Sequence, residues 1–375
     1  MTSVKKTFPG RMALQQRVLP VYRAAFFDAL AGACEGGLSI FAGLPLPQEG
    51  ISLVEGLQIA RFVLARNRHF SDPSSSLYFC WQSGLLAWLR DWNPDALIVE
   101  ANHRYLSTRR AVKWMHARER PVIGWGLGAP SGKGVWGVLL KASRWGFLLL
   151  LDAVIAYSAR GAEEYRALGV PDERVYVAPN AVAPRPVVAP PERPSTFIGP
   201  PTVLFVGRLQ VRKRVDNLLR ACAALPMNLQ PRMVVVGDGP ALEELQRLAK
   251  DIYPQTEFAG VKHGLELEAY FTAADVFVLP GTGGLAVQQA MAYGLPTIVA
   301  RGDGTQEDLV RPDSGWLVPP DDVETLTITL REALSDPTRL RRMGAASYCF
   351  VCEEVNIEKM VEVFVEVIEA VTRVR

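Results

Sequence analysis

The sequence predicts an α/β protein with two parallel sheets, and three features carry that prediction. Short apolar runs alternate with stretches of helical spacing through both halves of the chain, as strands covered by helices on both faces do. Between the halves the alternation lapses: Val182–Pro201 carries seven prolines between Pro184 and Pro201 and almost no helical pattern, and reads as a stiff linker. A length of 375 residues suits two domains better than one. Two such halves predict a ligand cleft between them, at the carboxyl ends of the strands.

In the first half, Met12–Gln16 reads as a strand ending in the loop Arg17–Pro20. An amphipathic helix follows over Tyr22–Ala33, with Phe26, Phe27 and Leu30 on one face. Leu38–Phe41 is a second strand, and Ile51–Arg68 is expected to be largely helical. Leu77–Trp81, Ala96–Val99, Val122–Trp125, Ala153–Tyr157 and Val175–Val177 are further strand-like runs, with helical stretches at 83–91 and 107–118.

The alternation restarts with strands at Val203–Val206 and Met233–Val236, helices at Val215–Leu225 and Ala241–Asp251, a strand end at Phe258–Val261 and a helix at Glu266–Ala274. Val276–Leu279 is then a strand, Pro280–Gly284 a glycine-rich turn, and Leu285–Tyr293 a helix stopped by Gly294 and Pro296 before the strand Thr297–Ala300. After Trp316–Val318 come helices near 321–335, 338–350 and 356–372.

Composition bounds the classes. Apolar content of 49% and charged content of 21% are those of a globular protein with ample core. The longest apolar run, Gly146–Leu151, falls far short of the roughly 20 residues that span a bilayer, and no signal-like stretch precedes Pro9. The chain therefore reads as cytoplasmic. Its net charge of +2 is divided: residues 1–183 hold 21 Lys+Arg against 14 Asp+Glu, and 184–375 hold 20 against 25. A basic first half suits an anionic partner, such as the inner face of a membrane or a phosphorylated acceptor, or is simply solvated arginine. Gly134–Leu151 adds Trp136, Lys141, Arg144 and Trp145 among apolar residues, either a peripheral membrane contact or domain core. No feature points to nucleic acid. Five scattered cysteines, with a lone Cys349-x-x-Cys352, are expected to be packed thiols rather than a metal or redox site.

Three strand-to-helix turns in the second half carry chemistry. In VGRLQVRKR, Gly207 lets the backbone turn, and Arg208 and Lys213 reach forward from the strand end. Two cations there neutralise a diphosphate leaving group, whose charge grows as a glycosyl bond breaks. Val236-Gly-Asp-Gly-Pro240 is the second turn, with proline in the first helical turn. Gly281–Gly284 is the third, where unpaired backbone N–H groups at a helix start suit a phosphate, although many such turns bind nothing.

Taken in order, GRLxxxK after a strand, VVGDGP, FAG, the strand–PGTGG–helix ending AMAYGLP, and GWLVPPDD resemble the family 4 glycosyltransferases. The resemblance is strongest over residues 203–335, and DAVIAYS (152–158) with VAPN (177–180) is similar to the end of that family's first domain. It implies the GT-B fold: an acceptor-binding Rossmann-like domain over 1–183, the linker 184–201, a nucleotide-sugar-binding Rossmann-like domain over 202–355, and a helix over 356–375 returning to the first domain. The implied donor is a nucleotide-diphosphate sugar, and the implied acceptor a saccharide or a lipid-linked one; no cofactor is implied. Arg208 and Lys213 would bind the diphosphate, with Gly207 in the turn and with backbone N–H groups of Gly283, Gly284 and Leu285. Base contacts would lie near Val261 and Lys262. No acidic DxD pair appears where a metal–diphosphate bridge needs one, so transfer is expected to be metal-independent. The family retains anomeric configuration.

The sequence also departs from that pattern. The family carries two glutamates eight positions apart; here Gly281 and Gln289 stand there. Neutral Gln289 still accepts ribose hydroxyls through its carbonyl, whereas glycine cannot replace a carboxylate facing the sugar. Either the sugar is held differently, or transfer is weak, or Glu100, Asp303 or Glu307 substitutes. A His-Gly pair often follows the strand at Val122–Trp125; here Trp125-Gly-Leu-Gly128 follows, and the nearest strand-end histidine is His103, a candidate for sugar binding or proton transfer. The loop Arg17–Arg23 replaces the family's glycine pair after the first strand and brings arginines toward the acceptor's place. Two further readings on the same fold are a catalytically inactive nucleotide-binding regulator and a phosphorylase or epimerase.

Overall fold

The computed structural model describes residues 6–373 except 50, 52, 55, 73, 74, 76 and 130–133, and describes only the backbone of 48 and 134–139. Contacts divide the chain into unit 1, Met1–Pro184 with Ile357–Arg375, and unit 2, Arg185–Asn356.

Unit 1 runs β1 (Met12–Val18), α1 (Ala24–Ala31), β2 (Leu38–Gly43), β3 (Arg61–Phe70), β4 (Phe79–Ser83), α2 (Leu85–Trp92), β5 (Ala96–Glu100), α3 (Thr108–His116), β6 (Val122–Gly126), α4 (Gly134–Leu148), β7 (Ala153–Ala156), α5 (Ala159–Ala167) and β8 (Val175–Val177). Its sheet has the order β4-β3-β2-β1-β5-β6-β7-β8, parallel except where β3 meets β4. Strands such as β5, whose Leu97, Ile98 and Val99 are wholly buried, read as unbroken apolar runs because helices cover both faces. On one face α1 packs Phe26 and Phe27 beneath Trp125. On the other, Trp88, Met115, Phe147 and Tyr165 form a second core.

The last helix of the chain, Ile357–Arg373, completes unit 1. Phe364 lies 5.1 Å from the Phe26 ring and 5.2 Å from Trp125, and the Ile357 amide donates to the Ala183 carbonyl at 3.1 Å.

Among the described residues of 51–68 the expected helix is not formed. Arg61–Phe70 is instead a strand, parallel to β2 and antiparallel to β4. The Asp28 carboxylate accepts from the amides of Gln58, Ile59 and Ala60 at 2.9–3.1 Å, so these N–H groups are diverted from an i→i−4 ladder just before the strand begins. With Leu64, Arg66, Arg68 and Phe70 alternating toward solvent, β3 has one buried face that is only weakly apolar. A sequence period can hardly be read from that.

Unit 2 runs β9 (Thr202–Val206), α6 (Val215–Ala223), β10 (Arg232–Val236), α7 (Leu242–Ile252), β11 (Glu257–Gly260), α8 (Gly264–Ala273), β12 (Val276–Leu279), α9 (Leu285–Ala292), β13 (Thr297–Ala300), β14 (Gly315–Val318), α10 (Val323–Ser335) and α11 (Pro337–Glu353), with α12 (Ile357–Arg373) beyond it in unit 1. Its six strands are all parallel, in the order β11-β10-β9-β12-β13-β14. The proline-rich run is tied to unit 2 through Arg193, which donates to the carbonyls of Phe271, Ala274 and Tyr293 at 2.8–2.9 Å.

No helix among the described residues is long and apolar enough to cross a membrane. On α4, Phe147 and Leu148 are buried in the second core while Trp145 is 48% exposed; the Trp136 side chain lies outside the described residues. Cys34, Cys80 and Cys222 are packed as expected. Cys349 is not: it stands exposed on α11, on the turn that faces away from the core residues Phe350 and Val351.

Candidate active site

In unit 2 the strand order reverses at β9: β10 and β11 lie to one side, β12 and the remainder to the other. Ligands of open α/β sheets bind at the carboxyl ends of the strands at such a reversal. The loop after β9 touches both neighbouring loops there. Toward β10, Leu209 donates its amide to the Asp238 carbonyl at 2.8 Å, and a Cβ on Gly237 would come within 2.0 Å of the Gly207 carbonyl. Only glycine permits that approach, since Gly237 also has φ +138°. This is the physical content of the VGDG run.

Toward β12 the same loop meets the glycine-rich turn. Lys213 Nζ donates to the Thr282 carbonyl at 2.6 Å, and the Thr282 amide donates to the Arg212 carbonyl at 3.1 Å. Arg212 Nη1 reaches the Thr282 hydroxyl at 3.2 Å. A Cβ on Gly283, at φ +118°, would lie 2.2 Å from Lys213 Nζ, so glycine there makes room for the ammonium. Burial, reinforced by neighbouring Arg212 and opposed by Asp303, brings the Lys213 ammonium down to about 8. At neutral pH it is therefore a charged, poorly solvated cation held against a helix start, which is what an arriving phosphate neutralises.

Arg208 stands exposed at the end of β9, and Gly284 and Leu285 open α9, where N–H groups lack an intrahelical carbonyl. The Gly283 amide is differently used: it donates to Gln306 Oε1 at 2.7 Å. Sequence reasoning missed Gln306. Wholly buried, it also donates through Nε2 to the carbonyls of Gly281 (3.0 Å) and Ala300, so one side chain sets the path of the glycine turn. A glutamine in a polar loop has no local signature. Replacing it with alanine is expected to leave three buried backbone groups unpaired, at about 1–3 kcal/mol, and to lower the thermal midpoint by roughly 2–10 °C in a melting experiment.

The other predicted residues take varied places. Gln289 is half-buried on α9, and Val261 is exposed in the loop after β11. Both Glu307 oxygens accept backbone amides, from Gly302 at 2.8 Å and Gly304 at 2.9 Å, while Asp303 accepts from the Thr305 hydroxyl at 2.6 Å. Glu307 thus shapes the loop after β13 rather than standing in for a carboxylate at Gly281. A surface groove of about 600 Å³ between α6 and α7, lined by Arg214, Arg220 and Glu244, holds none of the predicted site residues.

Glu100 and His103 belong to unit 1. Glu100 ends β5, accepts the Arg17 amide at 3.0 Å, and is pushed up by burial. His103 is 3% exposed with its Nε2 lacking a partner; burial, then Arg144, Arg104 and Arg109, bring it down to about 4. It is therefore neutral at physiological pH, with one ring nitrogen able to donate and the other to accept.

Two family models match the chain, one in each half: Glycosyltransferase Family 4 over residues 45–185 and Glycosyl transferases group 1 over residues 191–349. The chain resembles the family 4 glycosyltransferases. A GDP-mannose-dependent alpha-(1-6)-phosphatidylinositol monomannoside mannosyltransferase of Mycolicibacterium smegmatis is 34% identical over 160 residues, 39% of this chain and 42% of that protein. A sulfoquinovosyl transferase of Arabidopsis thaliana is 35% identical over 154 residues, 39% of this chain and 29% of that protein. These alignments span less than half of each curated relative. Sucrose-phosphate synthase from Thermosynechococcus elongatus superposes with a TM-score of 0.71 at 18% identity, over 97% of this chain and 100% of that one, and shows the fold to be GT-B.

The family's glutamate before the glycine turn has a steric counterpart in this chain. A Cβ on Gly281 would come within 2.2 Å of the Arg212 carbonyl oxygen and 2.6 Å of that of Lys213. The space a carboxylate stem needs is filled by the backbone of the loop that carries the cations.

Proposed function

We propose that the protein is a glycosyltransferase that moves a sugar from a nucleotide-diphosphate donor to a saccharide or lipid-linked acceptor. The observation that carries this reading is the Lys213–Thr282 contact of 2.6 Å at the reversal of the unit 2 sheet, where a buried ammonium meets a glycine turn opening a helix. Such an arrangement binds a diphosphate and stabilises the charge that grows on it as the glycosyl bond breaks. Arg208 and Lys213 together supply the positive charge that a metal supplies in other transferases, so transfer proceeds without one, and with retention as in the family. A relative named for a phosphatidylinositol monomannoside favours a lipid-linked acceptor, and transfer to one would place the protein at the inner face of a membrane. Calorimetry with UDP, GDP, ADP and dTDP tests the donor half. One nucleotide is expected to bind, and Arg208→Ala to weaken it by about 10- to 100-fold, the loss of one charge-assisted contact. No binding by any of the four, together with an indifferent Arg208→Ala variant, sinks the proposal.

A second reading is favoured by one observation, the filled space at Gly281. A relative that binds nucleotide but has lost transfer would regulate or scaffold instead. It predicts binding without release of sugar from any of a broad donor panel, and turnover on any acceptor disposes of it.

A further inference from the structure

Unit 1 has its own reversal of strand order, at β1 between β2 and β5. The carboxyl ends there border a cavity of about 230 Å³, lined by Arg17, Arg23, Glu100, Tyr105, Tyr157 and Asn180 among others. Most of this polar wall is internally satisfied. Arg17 forks onto Glu49, with Nη1 at 2.9 Å from Oε2 and Nη2 at 2.6 Å from Oε1. Glu100 accepts the Arg17 amide at 3.0 Å and the Tyr105 hydroxyl.

Arg23 is the exception. It is 4% exposed, its Nη1 is buried without a partner, and among the described residues no carboxylate pairs with it. Its guanidinium lies 4.8 Å from the centre of the Trp125 ring and 5.6 Å from that of Tyr157. Aromatic faces return to a desolvated cation only part of what burying it costs. Arginine cannot escape by losing its proton. Asn180, on the same wall, has its Oδ1 buried without a partner as well. A donor fork and an acceptor are thus both left unused at the place where open α/β sheets take ligands.

We propose that this cavity binds a hydroxyl-bearing oxyanion, a phosphate ester or a carboxylate, with Arg23 pairing the anion and Asn180 accepting a hydroxyl. The planar fork of arginine matches two oxygens of either group. At about 230 Å³ the cavity falls below the roughly 300–1,000 Å³ of drug-sized sites, so the occupant is a headgroup or a single sugar rather than a nucleotide. That the anion is carried by the acceptor rests on the transfer function proposed above; that it binds here does not.

Calorimetry on the full chain, with glycerol 3-phosphate and glucuronic acid against glycerol and glucose, provides the test. At least one anion is expected to bind where its neutral counterpart does not, and which of the two binds identifies the source of the charge. Arg23→Gln is expected to weaken that anion tenfold or more and Arg23→Lys less, with nucleotide affinity unchanged in both. If neither anion binds, or if Arg23→Gln binds it as the parent does, the guanidinium is a structural group stacked on Trp125 and the proposal is overturned. Should Arg23→Gln fail to fold, crystals of the parent soaked in the tighter anion decide: density against Arg23 and Asn180 supports the site, and density elsewhere or none overturns it. Anion binding without nucleotide binding would remove the donor proposal and leave this one standing.

Discussion

Gly281→Glu, which introduces the family's carboxylate, is expected to destabilise the protein by about 2–4 kcal/mol and to raise no turnover. The clash begins at the first atom of the new side chain. A Cβ at Gly281 would lie 2.2 Å from the Arg212 carbonyl oxygen, 2.5 Å from the Lys213 carbonyl carbon and 2.6 Å from its oxygen. All three are backbone atoms, so no rotamer change relieves them. The loop after β9 must retreat, and with it go the Thr282 amide bond to Arg212 at 3.1 Å and the Lys213 bond to Thr282 at 2.6 Å. Losses of this size lower the thermal midpoint by roughly 4–15 °C. Differential scanning calorimetry on Gly281→Ala and Gly281→Glu checks the cause, because alanine should already show a drop in the same direction. A glutamate variant as stable as the parent, or one that gains turnover, would mean that the loop is not fixed as described.

Lys213→Met is expected to weaken nucleotide binding by 100-fold or more while leaving the protein as stable as the parent or more so. The same burial accounts for both effects. A side chain desolvated by the loop meets an incoming phosphate at close quarters, where a charge-assisted bond is strongest. Before the nucleotide arrives, that burial is a penalty on the charged form and brings the group down to about 8. For a cation lowered on folding, the unfolded chain binds more protons between the folded and unfolded values. Stability of the parent therefore rises as the pH climbs from about 8 toward the ordinary lysine value near 10.5, and the penalty is fully present below 8. The advantage of methionine should accordingly be largest near pH 7 and vanish at alkaline pH. Binding moves the other way: parent affinity should be highest toward pH 6.5–7 and fall through pH 8 and above as the ammonium deprotonates. Lys213→Arg should not show that fall. Calorimetric titration from pH 6.5 to 9.5 reads the binding half directly, and a parent whose affinity is level to pH 9.5 would remove Lys213 from the phosphate.

Much of this arrangement is legible in the sequence because the strands that build it are apolar on both faces. Val203–Val206 and Val276–Leu279 stand out as runs, and the glycines that follow them mark the turns where backbone meets backbone. What is not legible is lateral. The contact of Gly281 with Arg212 and Lys213 joins positions about seventy residues apart and exists only because β9 and β12 are neighbours in the sheet. Gln306 is invisible for the same reason: its three partners come from the ends of two different strands. The mistaken helix over 51–68 has another origin. At β3 the hydrogen-bond partners are β2 and β4, and with Leu64 and Phe70 facing solvent and Asn67 and His69 on the inner face, the apolar–polar alternation that marks a half-buried strand is lost.

Unit 1 is closed by a helix that the ribosome makes only after the whole of unit 2. Phe26 and Trp125 are complete early in synthesis, yet the ring that covers them, Phe364, emerges only after the whole of residues 185–356. At roughly 5–20 residues per second that is an interval on the order of ten to thirty seconds. During it the nascent first half carries an uncovered aromatic patch, and a chain truncated before Ile357 would carry it permanently. Birth order therefore lets the whole of residues 185–356 emerge before the segment that seals unit 1 becomes available.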